Sequence, residues 1–151
     1  MTTKIHLVAE GKARPLSLCL SEGQRSDSKF LEPTLQAVRV PRAGRGRPRK
    51  RPSQLLADKG YSYPCCRQAL RRRGQKHLIP ERRDQREQRQ KKGQAGGRPV
   101  VFVQVAYAQR NVVERCILRL KQFRRVATRY EKRADNFLAM VTLAAIILWV
   151  R

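Results

Sequence analysis

Residues 107–125, YAQRNVVERCILRLKQFRR, decide the fold, because they form the clearest amphipathic helix pattern in the sequence. Apolar residues recur there at spacings of three and four, which place side chains on one face of a helix. The apolar residues of this stripe are Val113, Cys116, Ile117, Leu120 and Phe123. We therefore predict a helix from Tyr107 to about Arg125 that packs this stripe against a core.

The polar side of the same predicted helix carries a second pattern. At about 100° per residue along a helix, four polar side chains project within an arc of roughly 60° around its axis. The set is Tyr107, Arg110, Glu114 and Lys121. A carboxylate flanked by a phenol and two cations would then line a groove beside the apolar stripe. In a chain this basic, such a carboxylate is suited to hold a metal ion against phosphate.

The rest of the chain alternates between strand and helix patterns. Residues 3–9 and 14–21 are predicted strands joined by a turn at Glu10-Gly11-Lys12. A short helix is predicted to begin at Asp27 or Ser28 and end near Val38. Further along come a strand at 55–57, a basic helix at 64–73 and a strand at 77–79. This alternation predicts an α/β fold in which helices flank a sheet.

Three segments need separate predictions. Residues 41–52 and 81–99 are rich in Arg, Gly and charge, and are predicted to be flexible basic loops. The apolar run at 100–106 indicates either an additional edge strand or sequence decay. Residues 137–150 are apolar on all sides, but a helix of that length spans about 21 Å, short of the roughly 30 Å hydrocarbon core. We predict a buried C-terminal helix capped by Asp135 or Asn136.

Charge is the strongest compositional signal. Lys and Arg total 35 against 11 Asp and Glu, which gives a formal net charge of +24. Such an excess indicates a polyanionic partner, nucleic acid first and anionic membrane second. The four cysteines show no C-x-x-C spacing, so reduced cytosolic thiols are expected rather than a zinc site. The N-terminus lacks the apolar region of a secretory signal.

Two motifs carry a family resemblance. The spacing Tyr107-x2-Arg110-x3-Glu114-x6-Lys121 resembles the Y-R-E-K signature of DDE transposases from bacterial insertion sequences, and the wording around it is similar to the insertion-sequence 5 branch. Residues 57–61, ADKGY, resemble the strand-end motif that holds the second catalytic Asp of that family, here Asp58. The end of a buried strand is a common place for an active residue in an α/β sheet.

The resemblance implies an incomplete RNase H-like fold, with residues 1–151 forming part of the catalytic domain and a mixed sheet flanked by helices. It implies that Asp58 and Glu114 are the second and third catalytic carboxylates and ligands of a two-Mg²⁺ site. Arg110 and Lys121 would hold DNA phosphates, and Tyr107 would help to position the strand. Water would free a 3′-hydroxyl at the element end, and that hydroxyl would attack target DNA.

The first carboxylate of the family motif has no match in this sequence. The remaining candidates Glu10, Glu22 and Asp27 lie at predicted turns. We therefore expect a chain that starts after the strand with the first Asp, binds element ends and target DNA, and lacks activity alone. It would act in the bacterial cytoplasm at the nucleoid, with full-length transposase or a second copy as a partner. The alternatives are a non-enzymatic DNA-binding remnant with a repressor-like or dominant-negative role, and a membrane-surface protein.

A last motif lies in the first basic loop. Arg45-Gly46-Arg47-Pro48, followed by Arg49 and Lys50, resembles an AT-hook core, in which arginines enter a narrow minor groove. A loop that contacts phosphates without sequence preference is the alternative. In both cases Arg45 and Arg47 are expected to contact DNA.

Overall fold

The computed structural model describes residues 2–150, which separate into two compact units. The first unit contains the described parts of Met1–Arg51 and Arg110–Arg151, and the second contains Pro52–Gln109. Helices and small sheets occur in both, so the α/β class predicted from the sequence is correct.

A long antiparallel hairpin is the centre of the first unit. Its strands pair from Thr3 opposite Glu22 to Ala9 opposite Pro15, with an irregularity between Val8 and Ala9. The turn places Ala13 at a φ of 58°, in the left-handed region. The elements of this unit are β1 (Thr3–Ala9), β2 (Pro15–Glu22), α1 (Leu31–Gln36), α5 (Asn111–Lys121), α6 (Arg124–Ala127) and α7 (Ala134–Val150).

The two faces of this hairpin pack against different helices, as the strict alternation of residues in β2 requires. Leu18 and Leu20 pack on the apolar core built by α5 and α7. On the opposite face Ser17 donates a hydrogen bond to the Thr34 carbonyl oxygen of α1 at 2.8 Å. There His6 stacks on Phe30, just before α1, with ring centroids 4.4 Å apart. The hairpin is therefore a middle layer with an apolar side and a polar, hydrogen-bonded side.

Helix α7 supplies the largest share of that core. One face is buried and the other, which includes Leu143, Ile146 and Ile147, is exposed. The indole Nε1 of Trp149 donates to the Pro15 carbonyl oxygen at 2.6 Å and ties the end of α7 to the start of β2. Among the helices in residues 2–150, none is long and apolar enough to cross a membrane. The buried core residues are Ala13, Cys116, Leu120, Val126, Phe137, Val141, Ala144, Ala145 and Leu148.

The prediction of one continuous helix from Tyr107 to Arg125 is wrong, because the structure has two breaks in this range. A short helix ends where the amide of Gln109 bonds to Ala106 three residues back, and α5 begins at Asn111. A second break comes at Phe123, whose extended backbone starts α6 and whose ring packs on the core. The contact of the Phe123 ring with the core therefore determines the backbone conformation at this point, and not the helical spacing of the apolar residues. The stripe itself is confirmed at Cys116 and Leu120, which are buried.

The second unit contains a small βαβ arrangement. Two short strands pair in parallel, with Leu55 opposite His77 and Leu56 opposite Leu78. A basic helix, α2 (Pro64–Arg72), connects them. The apolar side of α2 is buried, and Leu70 is fully enclosed. The elements of this unit are β3 (Leu55–Leu56), α2 (Pro64–Arg72), β4 (His77–Leu78), α3 (Arg83–Lys91) and α4 (Gln104–Ala108).

Three predictions about connectivity and loops are corrected. The strands of residues 2–150 form two separate two-stranded sheets, β1–β2 and β3–β4, and not one mixed sheet. Strands β3 and β4 pair over only two residues each. The loop predicted at 81–99 contains α3, which a two-bond ion pair between Glu81 and Arg89 holds at 3.1 and 3.2 Å. No strand forms at 100–106, where α4 begins instead.

The prediction of unpaired thiols agrees with the described cysteines, all four of which are free. Cys116 is buried in the core beneath α7, and burial raises the pKa of its thiol to about 11. Because the thiolate is the reactive form, this cysteine is an inert core residue.

Helix α7 offers a matched test of its two faces. Leu148 is 3% exposed and Leu143 is 54% exposed on the same helix. We expect Leu148→Ala to lower the free energy of unfolding by about 2–5 kcal/mol, because it leaves a cavity in the core. Leu143→Ala should change it by less than about 0.5 kcal/mol. Urea unfolding followed by circular dichroism measures both, and equal losses would contradict the packing described for α7.

The buried imidazole of His6 makes stability depend on pH. Burial lowers the pKa of His6, with Asp27 opposing and Lys4 adding to the effect, and Nε2 lies 2.8 Å from Ser21 Oγ. The unfolded chain titrates near 6.5 and binds the proton more readily. The free energy of unfolding should therefore be highest above about pH 6.5 and fall as the pH drops toward the lowered pKa.

Urea titrations between about pH 5 and 8 test this dependence. His6→Gln should flatten the curve in that window, whatever its effect on absolute stability. The control His77→Gln keeps His6 and should retain the slope. A wild-type curve without a slope would show that His6 is not held neutral by burial.

Candidate active site and nucleic-acid interface

Glu114 lies in the first turn of α5, where its carboxylate meets Arg110. Arg110 Nη2 donates to Glu114 Oε1 at 2.6 Å, and the Glu114 side chain is 53% exposed. Arg110 is the residue that precedes α5, so the pair has the four-residue spacing that neighbours on a helix surface share. A negative side chain in a first turn also interacts favourably with the helix dipole. The structure thus brings together two of the four residues of the predicted signature.

The other two residues of the signature lie on other parts of the chain, Lys121 at the end of α5 and Tyr107 on α4. Lys121 is exposed in the last turn of α5, near Arg119, where cations stabilise the helix C-terminus. Tyr107 belongs to α4 in the second unit and contacts the Phe102 ring at a centroid distance of 5.1 Å. The break at 109–110 means that the 60° arc computed for one helix applies only to the residues on α5.

Asp58 follows β3 in the second unit and is exposed. Its carboxylate accepts a hydrogen bond from the Lys59 amide at 2.6 Å and so caps the 3-10 helix Lys59–Tyr61. The position agrees with the expectation that this Asp stands just after a strand. An Asp that caps a helical turn also has an ordinary structural role.

Pairing with cations separates Asp58 from most other acids. Within residues 2–150, nine of the eleven acidic side chains form ion pairs, and the exceptions are Glu32 and Asp58. Glu32 lies in the first turn of α1, where the helix dipole stabilises it. In a chain of +24 charge, an exposed carboxylate without a cationic partner is available to bind a cation from solution.

The alternative first carboxylates are all engaged with cations in the first unit. Glu10 pairs with Arg14 at 2.8 Å, Asp27 with Lys4 at 3.0 Å and Glu22 with Arg25 at 3.4 Å. Arg14 lowers the pKa of Glu10 against the opposing effect of burial. These pairs stabilise the ends of the hairpin.

The fit of a divalent metal ion rests on the chemistry of the donors. Asp and Glu oxygens are the ligands that Mg²⁺ prefers, so Asp58 and Glu114 fit it in kind. Within residues 2–150, however, no group of three His, Cys, Asp or Glu side chains lies together. Asp58 and Glu114 also belong to different units. The described residues therefore supply suitable donors without a complete ligand set.

Arg67 joins two segments of the second unit, a role that the sequence did not predict. Its guanidinium donates to the Ile79 carbonyl oxygen at 2.9 Å and to that of Ser62 at 3.3 Å. It thereby joins the end of β4 to the segment that follows the Asp58 turn. Burial lowers the pKa of Arg67. An arginine amid the exposed basic residues of α2 gives no sequence signal of such a role, because only the packing of α2 shows which cation turns inward.

Comparison with known proteins identifies the family of this chain. Residues 1–149 match the model of the Transposase DDE domain family. The chain is also similar to a protein of Burkholderia cepacia named as a candidate transposase for insertion sequence element IS402. The two are 33% identical over 148 residues, which cover 97% of this chain and 63% of that protein. No solved structure gives a significant match.

The family match covers nearly all of the chain, and it includes both the strand-end Asp58 and the α5 carboxylate Glu114. The chain spans about 63% of the length of its curated relative. This chain belongs to the Transposase DDE domain family.

Proposed function

We propose that this chain carries the second and third catalytic carboxylates of an insertion-sequence 5 type transposase, Asp58 and Glu114, in an RNase H-like catalytic domain. The observation that carries the proposal is the placement of Glu114 on α5, exposed and paired with Arg110, with Lys121 on the same helix. The position of Asp58 after β3, without a cationic partner, supports it. The substrate is the DNA of the element ends and of the target.

DNA is the partner that the charge of this chain requires. The net charge is +24, and basic residues are present on both units. Phosphate contacts by Arg and Lys supply most of the affinity of such proteins. The protein would accordingly act at the bacterial nucleoid in the cytoplasm, alone or with a second copy or full-length transposase.

Arg110 and Lys121 have distinct roles in this proposal. The guanidinium of Arg110 is suited to bind a phosphate with two parallel hydrogen bonds, and Lys121 acts as a point charge. Arg110 would keep the Glu114 side chain oriented in the absence of DNA and would shift toward the phosphate when DNA binds. Tyr107 would orient the strand through its hydroxyl group.

The carboxylates would hold Mg²⁺, whose chemistry in such a site is to activate the attacking oxygen and stabilise the leaving one. Asp58 and Glu114 are two ligands, and the family reaction needs a third carboxylate. Glu10, Glu22 and Asp27 are committed to ion pairs in the hairpin. We infer that this chain binds DNA by itself and that hydrolysis and strand transfer require the missing carboxylate to be supplied.

A second function stands beside this one. The chain could serve as a non-enzymatic DNA-binding remnant that represses the element or blocks the complete transposase. The observation that favours it is the lack of a three-carboxylate group in residues 2–150. Under that alternative, Glu114 and Asp58 are structural side chains, and neither is needed for any reaction.

Substitution of the carboxylates separates the two functions. In the chain joined to an N-terminal segment with the first carboxylate, Mg²⁺-dependent cleavage of element-end DNA is expected. Asp58→Asn and Glu114→Gln should each reduce it at least about a hundredfold, because a metal ligand is lost. Both should leave folding unchanged, since the exposed Glu114–Arg110 pair contributes only about 0.2–0.5 kcal/mol and Asn is as good a cap as Asp at position 58.

Glu87→Gln is the matched control. Glu87 forms the same kind of exposed four-residue pair with Arg83 on α3, at 2.8 Å and with 51% of its side chain exposed. Cleavage should be unaffected by it. Full cleavage by Glu114→Gln would eliminate the proposed site, and cleavage by the chain of 151 residues alone would show that it needs no further carboxylate.

The phosphate contacts predict a second result. Replacing Arg110 and Lys121 together by Gln should weaken DNA binding about equally for all sequences and lower the dependence of log K on log salt by about 2. Fluorescence anisotropy across a salt series measures both quantities. The pair Arg83→Gln with Lys91→Gln on α3 removes the same charge. An equal change in slope from that control pair would show general electrostatics and no defined phosphate site on α5.

A further inference from the structure

The Arg loop, residues 41–48 with the sequence PRAGRGRP, is an exposed loop with a fixed base. Val40 and Arg49 on either side of it exchange two backbone hydrogen bonds of 3.0 and 2.8 Å, which form an isolated antiparallel bridge. All eight loop residues are exposed. The two ends of the loop are therefore held side by side while its tip extends into solvent.

The chain on each side of the bridge is anchored. Leu35 and Val38 are buried at the end of α1. Arg39 donates hydrogen bonds to the carbonyl oxygens of Val38, at 2.9 Å, and of Gln36, and Arg49 Nε donates to the Arg51 carbonyl oxygen at 3.0 Å. The cations at the base thus bond to nearby carbonyl oxygens of their own segment, whereas the arginines at the tip make no such bond within residues 2–150.

The tip cations have no internal role in the described chain. The side chains of Arg42, Arg45 and Arg47 make no hydrogen bond or ion pair within residues 2–150. No acidic residue occurs between Glu32 and Asp58, so the neighbouring sequence provides no local counter-charge. Three unpaired guanidinium groups close together repel one another and attract a polyanion.

The backbone at the tip is narrow. Gly44 and Gly46 flank Arg45, so the chain on both sides of that arginine has no Cβ atom. Gly46 has a φ of 139°, a conformation that other residues rarely adopt. A Cβ built there would be 3.9 Å from Arg42 Cδ, so the backbone angle and not space excludes a side chain.

We propose that the Arg loop inserts into the minor groove of A/T-rich duplex DNA, with Arg45 and Arg47 as the contacting residues. The minor groove is about 6 Å wide, whereas the major groove, about 12 Å wide, accommodates a helix. The tip bends at residues 43–46 and has glycines on either side of an arginine, so little besides the arginine side chain would occupy the narrower groove. In A/T-rich DNA the groove narrows further and its negative potential rises, which attracts arginine in particular.

This inference rests on the proposed DNA-binding function and adds a sequence preference to it. The preference originates in the first unit, at residues that take no part in the carboxylate chemistry. Arginine is favoured over lysine at such a site because the guanidinium is more weakly hydrated and loses less when water leaves the groove. The loop would bias where the transposase sits on DNA, and phosphate contacts elsewhere would supply general affinity.

The test measures binding of the full chain to two duplexes of equal length, one with an A/T centre and one entirely G/C, by fluorescence anisotropy. We expect the A/T duplex to bind about tenfold more tightly, and a small minor-groove ligand to abolish the difference. Arg45→Lys with Arg47→Lys keeps the net charge and should bring the ratio of A/T to G/C affinity down to about one. Gly46→Ala should weaken the preference by straining the tip.

The matched control is Arg71→Lys with Arg72→Lys, two adjacent exposed arginines of α2, which should keep the preference. Circular dichroism verifies that each variant is folded. Equal affinity of the wild-type chain for both duplexes, or a preference that survives the double lysine change in the loop, would overturn the inference and leave the proposed function standing. Binding to neither duplex would overturn the proposed function as well.

Discussion

The packing of α7 across the β1–β2 hairpin is the interaction on which the first unit depends. A chain with a net charge of +24 repels itself, and folding needs an apolar core that outweighs this repulsion. Val141, Leu148 and their neighbours on α7 provide most of that core, with Cys116 and Leu120 of α5 beneath them. The same contact fixes the orientation of α5, since the core side of α5 is buried and its opposite side carries Glu114 and Arg110 outward.

Most acids of the chain are used to offset the charge, and this makes the exceptions informative. The hairpin ends are held by Glu10, Glu22 and Asp27, and α3 is held by Glu81. Surface ion pairs contribute little to stability individually, so their main effect here is to neutralise local repulsion. Asp58 is exposed and, within residues 2–150, forms no ion pair with a cationic side chain. A carboxylate left available in a basic protein is consistent with a role in holding a metal ion at DNA.

Two kinds of DNA contact can be separated on physical grounds. Arg110 and Lys121 stand on or beside a helix with carboxylate chemistry, where positioning of a phosphate matters. The Arg loop stands on a narrow, glycine-containing tip with a fixed base, where the shape of a groove matters. Under the proposed function, the first set would position the DNA backbone for reaction, and the second would bias which stretch of duplex is bound. A basic composition alone shows neither distinction.

The sequence by itself determined the α/β class, the hairpin and helix α2, and it predicted Glu114 and Asp58 as candidate carboxylates. These follow from local rules: alternation in β2, three- and four-residue spacing in α5, and fixed spacing within a family signature. Only the tertiary structure decided that Phe123 ends α5, that Glu81 and Arg89 order α3, and that Arg67 turns inward. Those outcomes depend on which distant atoms surround a residue, and a helical or strand period contains no information about burial against another segment.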